Sequence, residues 1–469
     1  MRSLLNLDQI EPVSEIDVVV IGRGVAGLLT GLVYARQGKQ VAILERDRPA
    51  DDSQPRRGVP QSHHLHVLLD RGRHELDTLL PGIGEQLQSD GARLLDAAHD
   101  LDTRSWIGWS QRHRRSRRKL LSCTRGLFES TLRKRVLLEV ERDGLNLTIH
   151  DESPVQGIVV AHGRVVGVRV AGSAASEAVD VRARLVVDAS GRSSRTARWL
   201  HETGTGLLEY ETIDPNLRYA SCFLHAPALD HGTYIFPTPG IARGGVLLPV
   251  ENGLAVVTVY GSHGEHPGIS RASFREFQTS LASTQIAELT AHLSPLTRIR
   301  GFAATANRRL VPKTSRLPSG LLLLGDSLCA FNPVYGQGMT VAILQAQLIA
   351  RLGERQADPL NDRFVRRTQT RLWHSTQPAW SLAVSGDRQH SPRRGIWNSI
   401  DRVNAWFVDR VRGHAASNSG VSELFWDVAS LSLPRRALMT PQRMFQLMRR
   451  PQVGLAGPPP RPDGDKAQA

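Results

Sequence analysis

Cysteine is nearly absent: the 469-residue chain has three, Cys123, Cys222 and Cys329, far apart. An odd, scattered set argues against a disulfide framework or a zinc site and fits a reducing cytoplasm. Long apolar runs are missing as well. No stretch approaches the ~20 residues that span a bilayer. The opening MRSLLNLDQIEPVSEID has only a brief apolar stretch with acidic residues close behind, unlike a secretory signal. Acidic residues are in deficit, with 59 Lys plus Arg against 45 Asp plus Glu, a net charge of +14. Such a balance can serve nucleic acid, anionic lipid or an acidic protein partner. It can equally be a compositional habit, and no nucleic-acid motif accompanies it.

What is present is an α/β pattern without internal repeats. Asp17 to Ile21 is a short apolar run that ends at glycine and reads as a buried strand. Gly27 to Ala35 is helical in character, with Gly38 where a C-cap belongs. Val41 to Leu44 is a second buried strand, so the chain opens as βαβ and predicts a parallel sheet. Leu79 to Leu95 reads as interrupted helix, Leu127 to Val140 as helix, and Val165 to Val170 and Leu185 to Val187 as strands. From Arg218 to Tyr260 strands alternate with Gly and Pro. Leu321 to Leu324 returns to a buried strand and Met339 to Leu352 to helix. The expected division is a discontinuous dinucleotide-binding domain (14–204 and 300–360), an inserted β-rich substrate domain (205–299), a helical C-terminal region (361–450) and a disordered Pro- and Gly-rich tail (451–469).

Two constellations carry chemistry. The first is Gly22-Arg-Gly24-Val25-Ala26-Gly27, between a strand and a helix, with Glu45 18 residues after Gly27 at the end of the next strand. That spacing is close to the ~20 residues expected of an acidic ribose ligand. Gly22 permits the tight turn, Gly24 lets the backbone approach a pyrophosphate, and Gly27 lets helix and strand pack closely. The helix N-terminus offers free N–H groups and partial positive charge to phosphates. Arg46 follows Glu45 and joins the candidate set. A structural glycine turn explains fewer of these parts.

The second is the segment Leu321-Leu-Leu-Leu-Gly325-Asp326 through Asn332-Pro333-Val-Tyr-Gly336-Gln337-Gly338-Met339. A buried strand delivers an aspartate at its C-terminal end, where α/β sheets bind ligands. Glycines in the following loop let the backbone pass close to a flat ring, and the next helix N-terminus can stabilise negative charge on it.

This segment resembles the second FAD motif of flavoprotein monooxygenases related to para-hydroxybenzoate hydroxylase and squalene epoxidase. Across Arg57-Gly-Val-Pro-Gln-Ser-His-His64-Leu-His66, Asp188-Ala-Ser-Gly191-Arg, Leu248-Pro-Val-Glu-Asn-Gly and Asn307-Arg-Arg-Leu310, the chain more closely resembles bacterial flavin epoxidases of polyether-ionophore pathways, of the lasalocid and monensin type. The resemblance implies a Rossmann-like FAD domain of the GR2 type. It implies that Arg125 contacts FAD, that Asp326 binds the ribityl chain, and that Pro333 to Gly338 lines the isoalloxazine. Arg57, Asp188, Gly191, Gly325 and Met339 complete the expected cofactor set. It further implies that reduced flavin and oxygen form a C4a-hydroperoxide that inserts one oxygen atom into a lipophilic natural product. No protein nucleophile is needed; His64, His66 and Pro333 are the candidates for tuning the flavin or placing substrate. The histidines can as well be structural, and with no third ligand they make a poor metal site.

Departures from the hydroxylase pattern matter. Ser190 stands where those relatives usually have Asp before Gly, and Cys329 where they usually have His. The missing Asp leaves open whether electrons come directly from NAD(P)H or through a separate flavin reductase. Trp106-Ile-Gly-Trp109 lacks the spacing and Ile-Pro of the flavin-halogenase motif. The basic run Arg112 to Lys119 reads as a solvated loop, or as a dock for an acyl carrier protein or a membrane surface. An oxygen-independent reductase or cyclase on the same scaffold, and a non-catalytic flavin binder, are the competing functions.

Overall fold

The computed structural model describes residues 16–48, 63–116, 118–172, 177–238, 240–262, 264–388 and 396–460. Its centre is a seven-stranded sheet. The apolar run Ile16–Ile21 sits in the middle, parallel to Val41–Leu44 on one side and to Val179–Asp188 on the other. Leu147–His150 extends the sheet beyond Val41–Leu44, and Leu321–Leu323 lies parallel to the end of Val179–Asp188. Arg164–Val170 and Val155–Ala161 form an antiparallel edge. Strands covered on both faces by helices have no polar positions to spare. Accordingly Val18, Val19, Val20, Leu322 and Leu323 are all fully buried.

Two helices meet over this sheet, Val25–Arg36 and Gly338–Gly353, one from each signature. The first depends on Gly27: a Cβ built there would overlap the Gly22 carbonyl oxygen. Gly24, by contrast, faces open space at an ordinary φ of −72°.

A second seven-stranded sheet runs in the order Arg300–Phe302, Arg218–His225, Leu254–Gly261, Arg243–Pro249, Gly232–Ile235, Leu101–Ser105, Gly108–Trp109. The expected limits of 205 and 299 therefore do not bound it. Leu101–Ser105 joins from earlier in the chain by pairing in parallel with Gly232–Ile235, covering an edge that would otherwise stay open. Leu79 to Leu95 is also corrected: helices Asp70–Leu79 and Ile83–Ser89 end in the strand Arg93–Asp96. Pro81 and Gly82, the latter at φ +84°, break the helices apart.

Helices Asp362–Ser375, Gln377–Asp387, Ile396–Ala415, Ser419–Ala429 and Pro441–Met448 follow. The last three share a core of Phe407, Val411, Val421, Leu424, Val428 and Leu447. The tail is not free from residue 451 onward. Leu455 bridges Trp109 in both directions, at 2.9 and 2.8 Å, and the Gly454 amide donates to the Ile107 carbonyl at 2.9 Å. Residues 461–469 lie outside the described residues.

The glycine geometry is testable on apoprotein. Gly27→Ala should cost about 1–3 kcal/mol of stability by overpacking, seen as a lower denaturant midpoint. Gly24→Ala should leave the apoprotein midpoint unchanged. Equal midpoints for the two variants would refute the close approach at Gly27.

Candidate functional site

At the first signature, Gly22 takes φ +98° and turns the chain beneath Ala189. The helix then opens at Val25 with its first-turn amides beside the open space at Gly24. Glu45 is buried, and its two carboxylate oxygens accept the Arg23 amide at 2.8 Å and the Asp47 amide at 3.1 Å. These bonds aim it at the glycine turn, a positioning that motif spacing did not reveal. Arg46 lies half exposed, 3.8 Å from Asp47.

The second signature adjoins the first. A Cβ built on Gly325 would stand 3.1 Å from the Ala26 Cβ, so the two loops touch. The Gly325 amide is held by Gln345 Oε1 at 2.6 Å. Asp326 is only partly exposed, and burial raises its pKa above the usual carboxylate range while Arg192, Arg125 and Arg308 oppose the rise. Among the described residues no hydrogen-bond donor reaches its carboxylate. Such a group suits a ligand hydroxyl. Arg125 heads the helix Arg125–Arg142 and pairs with Glu129 at 2.6 Å. Its charge reaches Asp326, so these two candidates are neighbours.

Asp188 is different. Its carboxylate is fully buried and accepts the Ser190 amide (2.9 Å) and the hydroxyls of Ser190 (2.5 Å), Ser194 (2.6 Å) and Thr196 (2.7 Å). It organises the turn into Gly191, which takes φ +80°, and does not offer itself to a ligand. Ser190, in the position usually held by Asp, thus serves Asp188. Arg57 and residues 58–62 lie outside the described residues.

The loop Pro333 to Gln337 forms one wall of a cavity of about 240 Å³. The Asn332 side chain caps the Val334 amide at 3.2 Å, and Gly336 takes φ +64°. Gln337 is 3% exposed and among the described residues its Oε1 has no partner, which suits a donor on a bound ring. Gly338 and Met339 begin the following helix. Tyr219, Tyr234 and Tyr260 from the second sheet form another wall, and Phe407 and Trp426 come from the C-terminal helices. His64 also lines the cavity. Its Nδ1 lies 2.9 Å from Ser221 Oγ, which lies 2.7 Å from Thr258 Oγ1. Burial, reinforced by His66 and His63, pushes its pKa down to about 3, so the ring stays neutral. His66 does not line the cavity, so the two histidines do not share it.

Asp387, with no motif around it, escaped the sequence reading. It is 1% exposed and ends the helix Gln377–Asp387. Its carboxylate accepts from Tyr335 Oη at 2.7 Å, from Asn332 Nδ2 at 3.1 and 3.2 Å, and from Asn307 Nδ2. Asn307 Oδ1 in turn accepts the Asn332 amide at 2.7 Å. The C-terminal region thereby grips the loop that walls the cavity. Asn307 was visible as a motif residue, but its partner was not.

The basic run is corrected too. Arg112 pairs with Asp102 at 3.0 Å, Lys119 with Asp96 at 3.0 Å, and Arg118 with Asp70 at 3.2 Å and with Asp427. His113 is buried, its Nε2 3.0 Å from the Ala415 carbonyl oxygen. Arg114 and Arg115 are exposed. Acidic partners scattered over more than 300 residues, invisible to local pattern, convert a basic run into a structural seam.

Residues 15–355 match the family model described as FAD binding domain, and the chain belongs to that family. Its cofactor is FAD. Among curated proteins it is 27% identical over 380 residues to Protein Rv3254 of Mycobacterium tuberculosis, covering 79% of each chain. It is 28% identical over 396 residues to 6-methylpretetramide 4-monooxygenase of Streptomyces rimosus, covering 79% of this chain and 84% of that one. It is 22% identical over 386 residues to mouse squalene monooxygenase, covering 80% of this chain and 61% of that one. In fold it is similar to the flavin-dependent brominase Bmp2, with TM-score 0.66, 14% identity and 92% and 98% of the two chains covered. It is also similar in fold to PqsL of Pseudomonas aeruginosa, described as an FAD-dependent monooxygenase, with TM-score 0.61, 17% identity and 83% and 100% covered. These relatives place it among FAD-dependent monooxygenases and oxidoreductases. No helix among the described residues is long and apolar enough to cross a membrane.

Two measurements probe the site. Asp326→Ala should release FAD during purification or weaken it by about tenfold or more, the loss of a charge-assisted hydrogen bond. Undiminished flavin content would remove Asp326 from the site. For Asp387, burial raises the carboxyl to about 6 against the pull of Tyr335, Asn332 and Asn307. An unfolded Asp titrates near ~3.9. Between these values the folded state keeps a proton that the unfolded chain has lost, so this contribution is full below ~pH 4 and falls away towards ~pH 6. It amounts to about 3 kcal/mol. Urea unfolding of wild type and Asp387→Asn at ~pH 4 and ~pH 6.5 should show wild type losing about 3 kcal/mol more than the variant over this range. Parallel pH dependence in both proteins would refute it.

Proposed function

We propose that the protein is an FAD-dependent monooxygenase that inserts one oxygen atom into a lipophilic natural product, by alkene epoxidation or hydroxylation. The observation that carries this reading is the cavity: its wall is the Pro333–Gln337 loop of the second flavin motif, and the rest of its lining is mainly aliphatic and aromatic. FAD, once reduced, supplies oxygen activation at its ring. The residues supply the setting. Gly22, Gly24 and the amides at Val25 and Ala26 receive the pyrophosphate; Glu45 the ribose; Asp326 and Arg125 the ribityl region. Gln337 Oε1 and the helix N-terminus at Gly338 and Met339 face the ring. Tyr219, Tyr260 and Phe407 exclude water, which would otherwise divert the activated oxygen. Neutral His64, tied to Ser221, fixes the substrate wall and carries no imidazolium charge there.

The second sheet, about residues 205–299 with its added strands, forms the substrate domain. The similarity in sequence to squalene monooxygenase and to a pretetramide monooxygenase supports a lipophilic polycyclic or polyene substrate over a small aromatic acid alone. A polyether-type polyketide fits the motif resemblance best. Electrons come from NAD(P)H, directly or through a separate reductase, and the enzyme works in the cytoplasm, where a carrier-bound substrate is also accessible.

The test is anaerobic and then aerobic. Purified protein should show a flavin spectrum. Reduced enzyme mixed with oxygen and a lipophilic alkene or polyketide should consume oxygen and yield a product heavier by one oxygen atom. Turnover of such a substrate without oxygen uptake would instead indicate a reductase or cyclase. Bleaching by NADPH without a partner protein would establish direct reduction despite Ser190.

A further inference from the structure

The cavity wall contributed by the C-terminal helices holds a charge that the apolar lining does not explain. Arg412, on the helix Ile396–Ala415, lines the cavity. Its Nε is buried without a hydrogen-bond partner, and its guanidinium stacks over Phe236 at 4.8 Å. Tyr234, Tyr260 and Tyr335 all feel its charge, which places the guanidinium among the ring-bearing walls. Asp409, three residues earlier, also feels it but forms no ion pair with it among the described residues. A second arginine, Arg435, lines the same cavity. Among the described residues it donates to neutral oxygens, Ser385 Oγ at 2.6 Å and Asn404 Oδ1 at 2.9 Å. His64, the remaining titratable group of basic type on the lining, is neutral.

Two guanidiniums facing an apolar cavity without a carboxylate partner are costly, because a desolvated charge is stable only when paired and hydrogen-bonded. Arginine is suited to such a place, since its planar fork offers donors in the geometry of a carboxylate. An aromatic face beneath the guanidinium holds it flat but leaves its N–H edge free.

We propose that the substrate carries an acidic oxygen group of the carboxylate class, and that Arg412 is the specificity residue that anchors it. The inference rests on the monooxygenase reading only in taking this cavity as the substrate site. The apolar body of the substrate fills the tyrosine- and leucine-lined space, and the anionic end pairs with Arg412, with Arg435 adding positive potential. The fixed anion sets which carbon of the substrate lies against Pro333 to Gln337. Neutral lipids of equal size lack that anchor, so the site discriminates by charge as well as by shape.

The probes are 8-anilinonaphthalene-1-sulfonate and N-phenyl-1-naphthylamine, the same fluorophore with and without an anionic group. Both are titrated into flavin-loaded wild type, Arg412→Gln and Arg412→Lys. Retained flavin content and far-UV circular dichroism establish that the variants are folded. Arg412→Gln should weaken the sulfonate probe by about tenfold or more and the neutral probe by less than about twofold. Arg412→Lys should recover part of the loss, as a point charge without the fork. Equal weakening of both probes, no weakening of either, or no saturable binding of the sulfonate to wild type would each overturn the proposal. The oxygen-uptake experiment can fail without touching this result, and the probe titration can fail while oxygen uptake succeeds, so the two readings stand or fall separately.

Discussion

Everything in the molecule depends on a close approach of two loops that are 299 residues apart in sequence, measured from Ala26 to Gly325. Small residues and a left-handed turn at Gly325 make that approach easy. Gly27 must lie against Gly22, and Gly325 against Ala26. The parallel pairing of Ile16–Ile21 and Leu321–Leu323 to the same strand, Val179–Asp188, brings the two together. Once they meet, Gly325 lies against Ala26 in the first turn of the helix Val25–Arg36, and Asp326 lies within reach of the Arg125 charge. Asp188 stands between them and spends its carboxylate on four donors. It is a positioning residue that holds the turn from Ser190 to Thr196 in place.

The C-terminal helices decide the other half of the site. Asp387 collects the Tyr335 hydroxyl and the amides of Asn332 and Asn307, so a helix outside the FAD-family match holds the loop that walls the cavity. A buried carboxylate with this many donors is stable only when all are in place. Arg118 and Arg112, from what reads as a loose basic run, tie the same region together through Asp427, Asp70 and Asp102. The positive charge of this chain is therefore in part internal, engaged in joining elements, and is not all available as a docking surface.

Much of the fold was legible before any coordinates. The strand–glycine–helix–strand opening, the buried strand at Leu321 and the helix from Gly338 follow from apolar period and glycine placement. The limits of the second sheet did not, because Leu101–Ser105 joins it through an edge supplied by Gly232–Ile235, more than a hundred residues later. The tail failed for the same reason: Pro and Gly around Leu455 read as disorder, yet Trp109 offers its backbone as a partner. His64 and His66 were grouped by their spacing, but the chain between His64 and Val67 is irregular, and only His64 reaches the cavity.

The sequence alone marked the glycine turn and the helix start that follows it, because these lie within a few residues of one another and local pattern records them. Tertiary structure alone decided the apolar cavity. Its walls come from the Pro333–Gln337 loop, the second sheet and the C-terminal helices, and residues such as Tyr260 and Arg412 line it although their neighbours along the chain carry no signal. Charge compensation and cavity shape are properties of what faces what. Sequence distance conceals them, and only the folded chain brings them to one place.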